Sequence, residues 1–236
     1  MISQVSAAEM IISESNRPTQ VRNDGYKNDR LWRAKDLIAC LEAQKTLTEL
    51  VDFERLSRGE LILSNEEILL SDLLREVLQE GARLTGVAQL DFIADVDIAE
   101  GLIVQGDRRR LRQVLVSLIA NGAKFTPEGS VLFRAQAYGS TGSSQLTLRF
   151  EVVDTGVGIA AHNQERIFHA FAQADEGLQR RFEGAGLGLA LAGELVRKMK
   201  GHIQLDSKVA QGTRVRVDLT MNQLAREGSH SVVPAG

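Results

Sequence analysis

Apolar residues recur at helical spacing through residues 27–55, where Leu31, Ala34, Ile38 and Leu41 form a heptad-like seam and neither glycine nor proline interrupts. The pattern predicts a long amphipathic helix whose seam requires a partner. Residues 2–15 read as a second helical stretch, and residues 16–25, with Pro18, Asn23, Asp24 and Gly25, read as the connection. Two helices joined by a turn bury little alone, so this hairpin is expected either to dimerise into a four-helix bundle or to pack on its own domain.

Gly59 breaks the helical period. Leu61 to Leu63 then predicts a short strand, and Ser71 offers an N-cap to a helix running to Arg83. Leu90, Phe92 and Ala94 recur with period two, and residues 102–104 form a second short apolar run before Gly106 and Asp107. From there Leu111, Val114, Leu115, Leu118 and Ile119 mark the buried face of a helix over 107–123. Residues 131–138 and 146–153 alternate as the arms of a hairpin around Gly139, Ser140, Gly142 and Ser143. Residues 187–199 read as a helix, while 202–205 and 213–219 read as strands parted by Gln211 and Gly212. Helices beside an antiparallel-rich sheet predict an α+β sandwich. The expected divisions are a helical hairpin over 1–58, a sandwich over 59–221 and a disordered tail over 222–236.

At 236 residues the chain suffices for one globular domain plus a helical element. Hydrophobic residues at 43% and charged residues at 25% are ordinary for a soluble protein, and a net charge of -3 argues against a nucleic-acid partner. Arg108, Arg109, Arg110 and Arg112 are then a solvated helical turn. No run reaches the roughly 20 apolar residues of a membrane helix, and no signal-peptide pattern opens the chain. These features, with a single cysteine, Cys40, read as a structural residue among apolar neighbours, predict a cytoplasmic protein.

Four segments carry candidate chemistry. Asn121-Gly122-Ala123-Lys124-Phe125-Thr126 ends the helix over 107–123; a carboxamide oxygen ligates hard cations and an ammonium approaches phosphate, although a helix-terminal Asn is most often a cap. Asp154-Thr155-Gly156-Val157-Gly158 ends a strand in a carboxylate that can accept from an exocyclic amine, with glycines that let a planar ring near the backbone; alone it is an ordinary turn. Gly184-Ala185-Gly186-Leu187-Gly188 precedes a helix, where exposed N–H groups and the helix dipole favour an anion. It does not follow a strand, so a dinucleotide-binding fingerprint is disfavoured. Arg166-Ile167-Phe168-His169-Ala170-Phe171 reads as an amphipathic turn anchored by Phe168 and Phe171. Between it and Gly184, residues 172–183 lack apolar periodicity and are expected to form a mobile lid.

In order and spacing these segments resemble the N, G1, F and G2 boxes of the histidine-kinase branch of the GHKL ATPases. The resemblance covers roughly residues 61–221. Residues 49–59, with Val51-Asp52-Phe53-Glu54-Arg55-Leu56, resemble the end of a dimerisation and phosphotransfer hairpin. It implies the Bergerat ATP-binding fold, ATP and Mg²⁺ as cofactors, and a homodimer or a heterodimer with a histidine kinase through the hairpin. A response regulator or phosphotransfer protein is the further partner it implies.

Carried over residue by residue, the resemblance assigns Asn121 to Mg²⁺, Lys124 to the phosphates and Asp154 to the adenine amino group. Gly156 and Gly158 shape the purine side, and Gly184, Gly186, Leu187 and Gly188 the phosphate side. Arg166 approaches the terminal phosphate, and Thr213 lies near the adenine. Two departures stand out. Ser117 occupies the place of a first Asn one turn before Asn121, and no histidine precedes His162. Counting back from Asp52 puts the family's acceptor near Ser3-Gln4-Val5, where Gln4 lacks a nucleophilic imidazole and Val5 an acid/base carboxylate. The expected function is a sensor histidine kinase-like protein without an evident acceptor histidine. The alternative is a non-catalytic ATP-binding regulator that pairs with another kinase.

Overall fold

The computed structural model describes residues 24–139, 144–164, 166–168 and 187–224. The first predicted hairpin helix and most of its connection, the glycines at 184 and 186, the lid over 172–183 and residues 225–236 lie outside the described residues. The chain divides into two units, Met1–Glu54 and Arg55–Gly236.

Helix α1, Asp24–Ser57, is 34 residues long and already includes Asp24 and Gly25, which the sequence pattern placed in a turn. The side chains of Leu31, Ala34 and Ile38 lie outside those described. Farther along, Leu37, Cys40, Leu47 and Val51 are exposed, and their spacings of three, seven and four follow a heptad stripe. Among the described residues Cys40 is thus exposed on this stripe rather than packed among apolar neighbours. The helix ends where Gly59 takes a φ of +73°: Gly59 N–H donates to the Leu56 carbonyl and Glu60 N–H to that of Arg55, the double closure that glycine permits at low cost.

The second unit is a sheet with helices on one face. Its elements are β1 (Glu66–Leu69), α2 (Leu70–Val87), β2 (Asp91–Asp97), β3 (Ile103–Gly106), α3 (Arg108–Phe125), β4 (Ser130–Tyr138) and β5 (Gln145–Asp154). The short α4 (Ala161–Gln164), a 3₁₀ turn (Arg166–Phe168), α5 (Gly188–Lys198), β6 (His202–Lys208) and β7 (Gly212–Leu224) follow. Strand order is β1-β3-β7-β5-β4-β2, with β6 also on β7. Pairing is antiparallel except between β2 and β4. This arrangement is the α/β ATP-binding fold that the resemblance implied.

Alternation decides the faces. Val131, Phe133 and Ala135 of β4, Leu146, Leu148, Phe150 and Val152 of β5, and Val215, Val217, Leu219 and Met221 of β7 point inward. They meet the apolar stripes of α2, α3 and α5, including Leu73, Val77, Leu111, Leu115, Leu118, Leu191 and Leu195. On the outer face Arg134 bridges Asp95 and Glu151, and Arg149 pairs with Asp218, so the uncovered side is a charged lattice.

Several predicted boundaries shift. Residues 61–63 are not a strand. The ladder lies at Glu66–Leu69, where Ile68 is fully buried opposite Val104, while Ser64 N–H is drawn to the Asp107 carboxylate at 2.9 Å. Ser71 does not cap α2, because the helix starts directly from the strand at Leu70, with Leu69 in the cap position. Ala94 is exposed, since β2 is an edge strand with β4 as its single partner among the described residues. The predicted tail begins too early: Asn222 pairs with Gln145 and Leu224 with Ile103, so β7 runs through these residues.

Candidate functional site

The inner face of the sheet is apolar until its last row. One row in, Val152, Val215 and Leu205 are register partners across β5, β7 and β6. At the end the same three strands place Asp154, Thr213 and Ser207 side by side. Alternation sends these polar side chains to the helix-covered face, where an apolar residue would otherwise serve.

Asp154 sits at the centre of the row. Its Oδ1 accepts from Gly156 N at 2.9 Å and from Thr213 N at 3.1 Å, and no donor among the described residues reaches Oδ2. Burial pushes the carboxyl pKa up, and the two backbone N–H groups oppose that rise by favouring the charged form. The site thus holds a half-buried carboxylate with one oxygen committed and the other available to a ligand donor.

The walls are close enough that side chains would not fit. A Cβ on Gly156 would lie 2.3 Å from the Phe125 carbonyl oxygen, and one on Gly212 would lie 1.9 Å from that of Asp154. Gly158, at φ +66°, packs against the Lys208 carbonyl, while Val157 N–H donates to Phe125 O at 3.1 Å and Ala210 N–H to Val157 O at 2.8 Å. The loop after β5 is therefore fixed between the end of α3 and the β6–β7 turn.

Helix α3 brings the second predicted segment here. Asp107 caps it by accepting from Arg110 N at 2.9 Å, and at its far end Gly122 packs 3.6 Å from the Asp154 Cβ, measured from the Cβ position glycine lacks. Thr126 donates to Gly122 O at 2.7 Å and closes the last turn. Asn121, next to Gly122, is half-buried, and its buried Nδ2 has no hydrogen-bond partner among the described residues. Such an orphan costs stability unless a ligand completes it. Lys124 Nζ lies 5.1 Å from the centre of the Phe125 ring.

Ser117, one turn before Asn121, faces the start of α5: its Oγ lies 3.0 Å from where a Cβ on Gly188 would stand. Leu187 is buried at 2% exposure, so its side chain packs in the core and only its backbone can serve a ligand. Gly184 and Gly186 lie outside the described residues. Arg166 is exposed at the head of its 3₁₀ turn. In that turn Ile167 is buried, and Phe168 is half-buried against Gly193 of α5. Phe171 is outside the described residues. Among the described residues no cluster of three or more His, Cys, Asp or Glu side chains gathers as a metal site.

Residues 106–223 match the family model of the "Histidine kinase-, DNA gyrase B-, and HSP90-like ATPase". The chain belongs to this family. Within it the chain carries a sensor histidine kinase-type catalytic core. It is 34% identical to the sensor protein GacS of Pseudomonas syringae over 191 residues, which is 80% of this chain and 21% of that protein. It is 32% identical to the histidine-protein kinase BarA of Escherichia coli over 184 residues, 75% of this chain and 20% of BarA. The chain thus spans a small part of the curated relatives it matches. Full-length ShkA in complex with AMPPNP shares the fold with a TM-score of 0.64 at 24% identity, covering 95% of this chain and 44% of that one.

Of the residues singled out in the sequence, the structure brings Gly156 and Thr213 onto Asp154, with Gly122 packed beside it, but the residues that hold this row were not singled out. Ser207 Oγ accepts from Ile159 N at 2.8 Å, and Gln164 Nε2 donates to Ile159 O at 2.9 Å and Ser207 O at 2.7 Å. The available signal was a serine interrupting the inward apolar alternation of Ile203 and Leu205. No helix among the described residues is long and apolar enough to cross a membrane.

Proposed function

We propose that this chain binds ATP with Mg²⁺ at the Asp154 end of the sheet and serves phosphoryl transfer in two-component signalling, without a phosphoacceptor histidine of its own in the N-terminal segment. The observation that carries the reading is Asp154, whose Oδ1 is saturated by Gly156 and Thr213 while Oδ2 remains for an exocyclic amine.

The residues present fit the group. Gly156 packs so tightly on the Phe125 carbonyl that the loop is held beside Asp154, and the Nδ2 of half-buried Asn121 has no hydrogen-bond partner among the described residues. A half-turn of that amide exchanges Nδ2 for Oδ1, the atom that would ligate Mg²⁺. Lys124 and Arg166 would face the phosphates, and Gly188 with the backbone of Leu187 would offer N–H groups at the start of α5. Gly184, Gly186 and Gly158 complete the proposed set. Bound Mg²⁺ neutralises phosphate charge, and positioning supplies most of the catalysis in such transfers.

The proposed partners are a second copy of the chain or a histidine kinase, joined through the hairpin over 1–58, and a response regulator or phosphotransfer protein downstream. Incubation with labelled ATP, alone and with candidate kinases and regulators, tests this reading. Acid-labile, base-stable phosphate on a partner histidine, or base-labile acyl phosphate on a regulator carboxylate, supports it. Heterodimer formation with no transfer would favour the regulator instead.

A further inference from the structure

The polar row that ends the sheet also fixes where its protons lie. Ser207 has one hydroxyl proton and three close neighbours: Ile159 N, which donates to it at 2.8 Å, the Gly212 carbonyl at 3.0 Å, and Thr213 Oγ1 at 2.9 Å. A carbonyl only accepts, so the contact with Gly212 takes the Ser207 proton. Both lone pairs of Ser207 are then filled, one by Ile159 N–H and the other by the hydroxyl of Thr213. Every capacity of Ser207 is used, and the proton of Thr213 is directed away from Asp154. The register sets Thr213 directly between Asp154 and Ser207. Thr213 therefore presents lone pairs alone, beside an Asp154 carboxylate that is itself an acceptor.

We propose that Ser207 determines base selectivity: by holding the Thr213 hydroxyl as an acceptor, it makes the floor of the site acceptor-only. Such a floor matches a 6-amino purine, which offers two protons, and rejects a 6-oxo purine, whose oxygen meets no donor. A site built to pair one polar group excludes an analogue that leaves its groups unpaired. The inference rests on the reading that Asp154 receives the purine. Ser207 acts through Thr213, so it is a positioning residue. Its removal frees the Thr213 hydroxyl to turn and donate to a 6-oxo group.

The test compares MgATP with MgITP, which differs at the purine 6-position and N1, by calorimetric titration of the full chain. Wild type should favour ATP by roughly tenfold or more. In Ser207→Ala the preference should narrow to about threefold or less, chiefly through tighter ITP binding. Ser207→Cys, nearly isosteric and weak as donor and acceptor, should narrow it likewise and covers the case in which the alanine variant does not fold. Ser207→Thr should restore the wild-type ratio. Equal weakening of both nucleotides in either variant overturns the proposal, because Ser207 would then only support the loop. A wild type that binds neither nucleotide refutes the ATP reading itself, whereas a wild type that binds ATP and ITP alike refutes the selectivity alone.

Discussion

Asp154 illustrates how one residue can oppose stability while serving a site. Burial raises its pKa, so the ligand-free fold gives up stability as pH rises through that value and the carboxyl ionises. A ligand amine needs the ionised form, so ATP affinity should fall on acidification, starting at a higher pH than for an ordinary aspartate. Asp154→Asn keeps an acceptor for Gly156 and Thr213 but replaces the second oxygen by a donor. It should weaken ATP binding about tenfold or more while leaving the melting temperature of the free protein unchanged or higher. Calorimetry and thermal denaturation read the two effects separately, and a parallel loss of both would mean that Asp154 is merely structural. Asn121→Ala removes a half-buried amide whose Nδ2 has no partner among the described residues, so it should cost little stability yet weaken ATP binding in Mg²⁺ more than in EDTA. Equal weakening in both buffers would remove Asn121 from the metal.

Helix α3 connects two such places. At its start Asp107 accepts from Arg110 N and from Ser64 N, both at 2.9 Å, and at its end Gly122 packs beside Asp154. Asp107→Ala should destabilise the second unit by about 1–3 kcal/mol, combining a lost cap with an unpaired N–H. Chemical denaturation measures this, and a change within error would contradict the dual role. Gly212→Ala should cost roughly 2 kcal/mol or more, because φ is +87° and the added Cβ meets the Asp154 carbonyl. Elements with a strong period were legible in the sequence: the face of α3 follows Leu111 to Ile119, and the β4–β5 hairpin follows its alternation. Residues 61–63 misled because a locally apolar run has no ladder partner among the described residues, whereas the strand that follows at Glu66–Leu69 carries two glutamates and is fixed by long-range pairing with β3. Ser207 was marked only by its break in the inward alternation, and Gln164 by nothing local, for a related reason. Their roles depend on hydrogen bonds across 43 and 48 residues, which no local spacing encodes.

At the scale of the whole molecule, the histidine-kinase motifs were readable because they fall at turns and helix ends where few residue types fit, as at Gly156 and Gly158. The acceptor segment around Gln4 and Val5 lies outside the described residues, so its proposed deficiency rests on residue chemistry. Wild type should not acquire acid-labile phosphate in that segment, whereas Gln4→His with Val5→Glu tests whether transfer in cis can be restored. Peptide mapping of labelled protein locates any phosphate, and label within residues 1–58 of wild type would contradict the missing-acceptor reading. All of this depends on one property, nucleotide binding at the Asp154 row. Calorimetric titration of MgATP into wild type and Asp154→Asn tests it most directly. The account predicts one saturable site per chain in wild type and a marked loss in the variant. No binding heat at millimolar ATP, or identical isotherms for the two proteins, would contradict it.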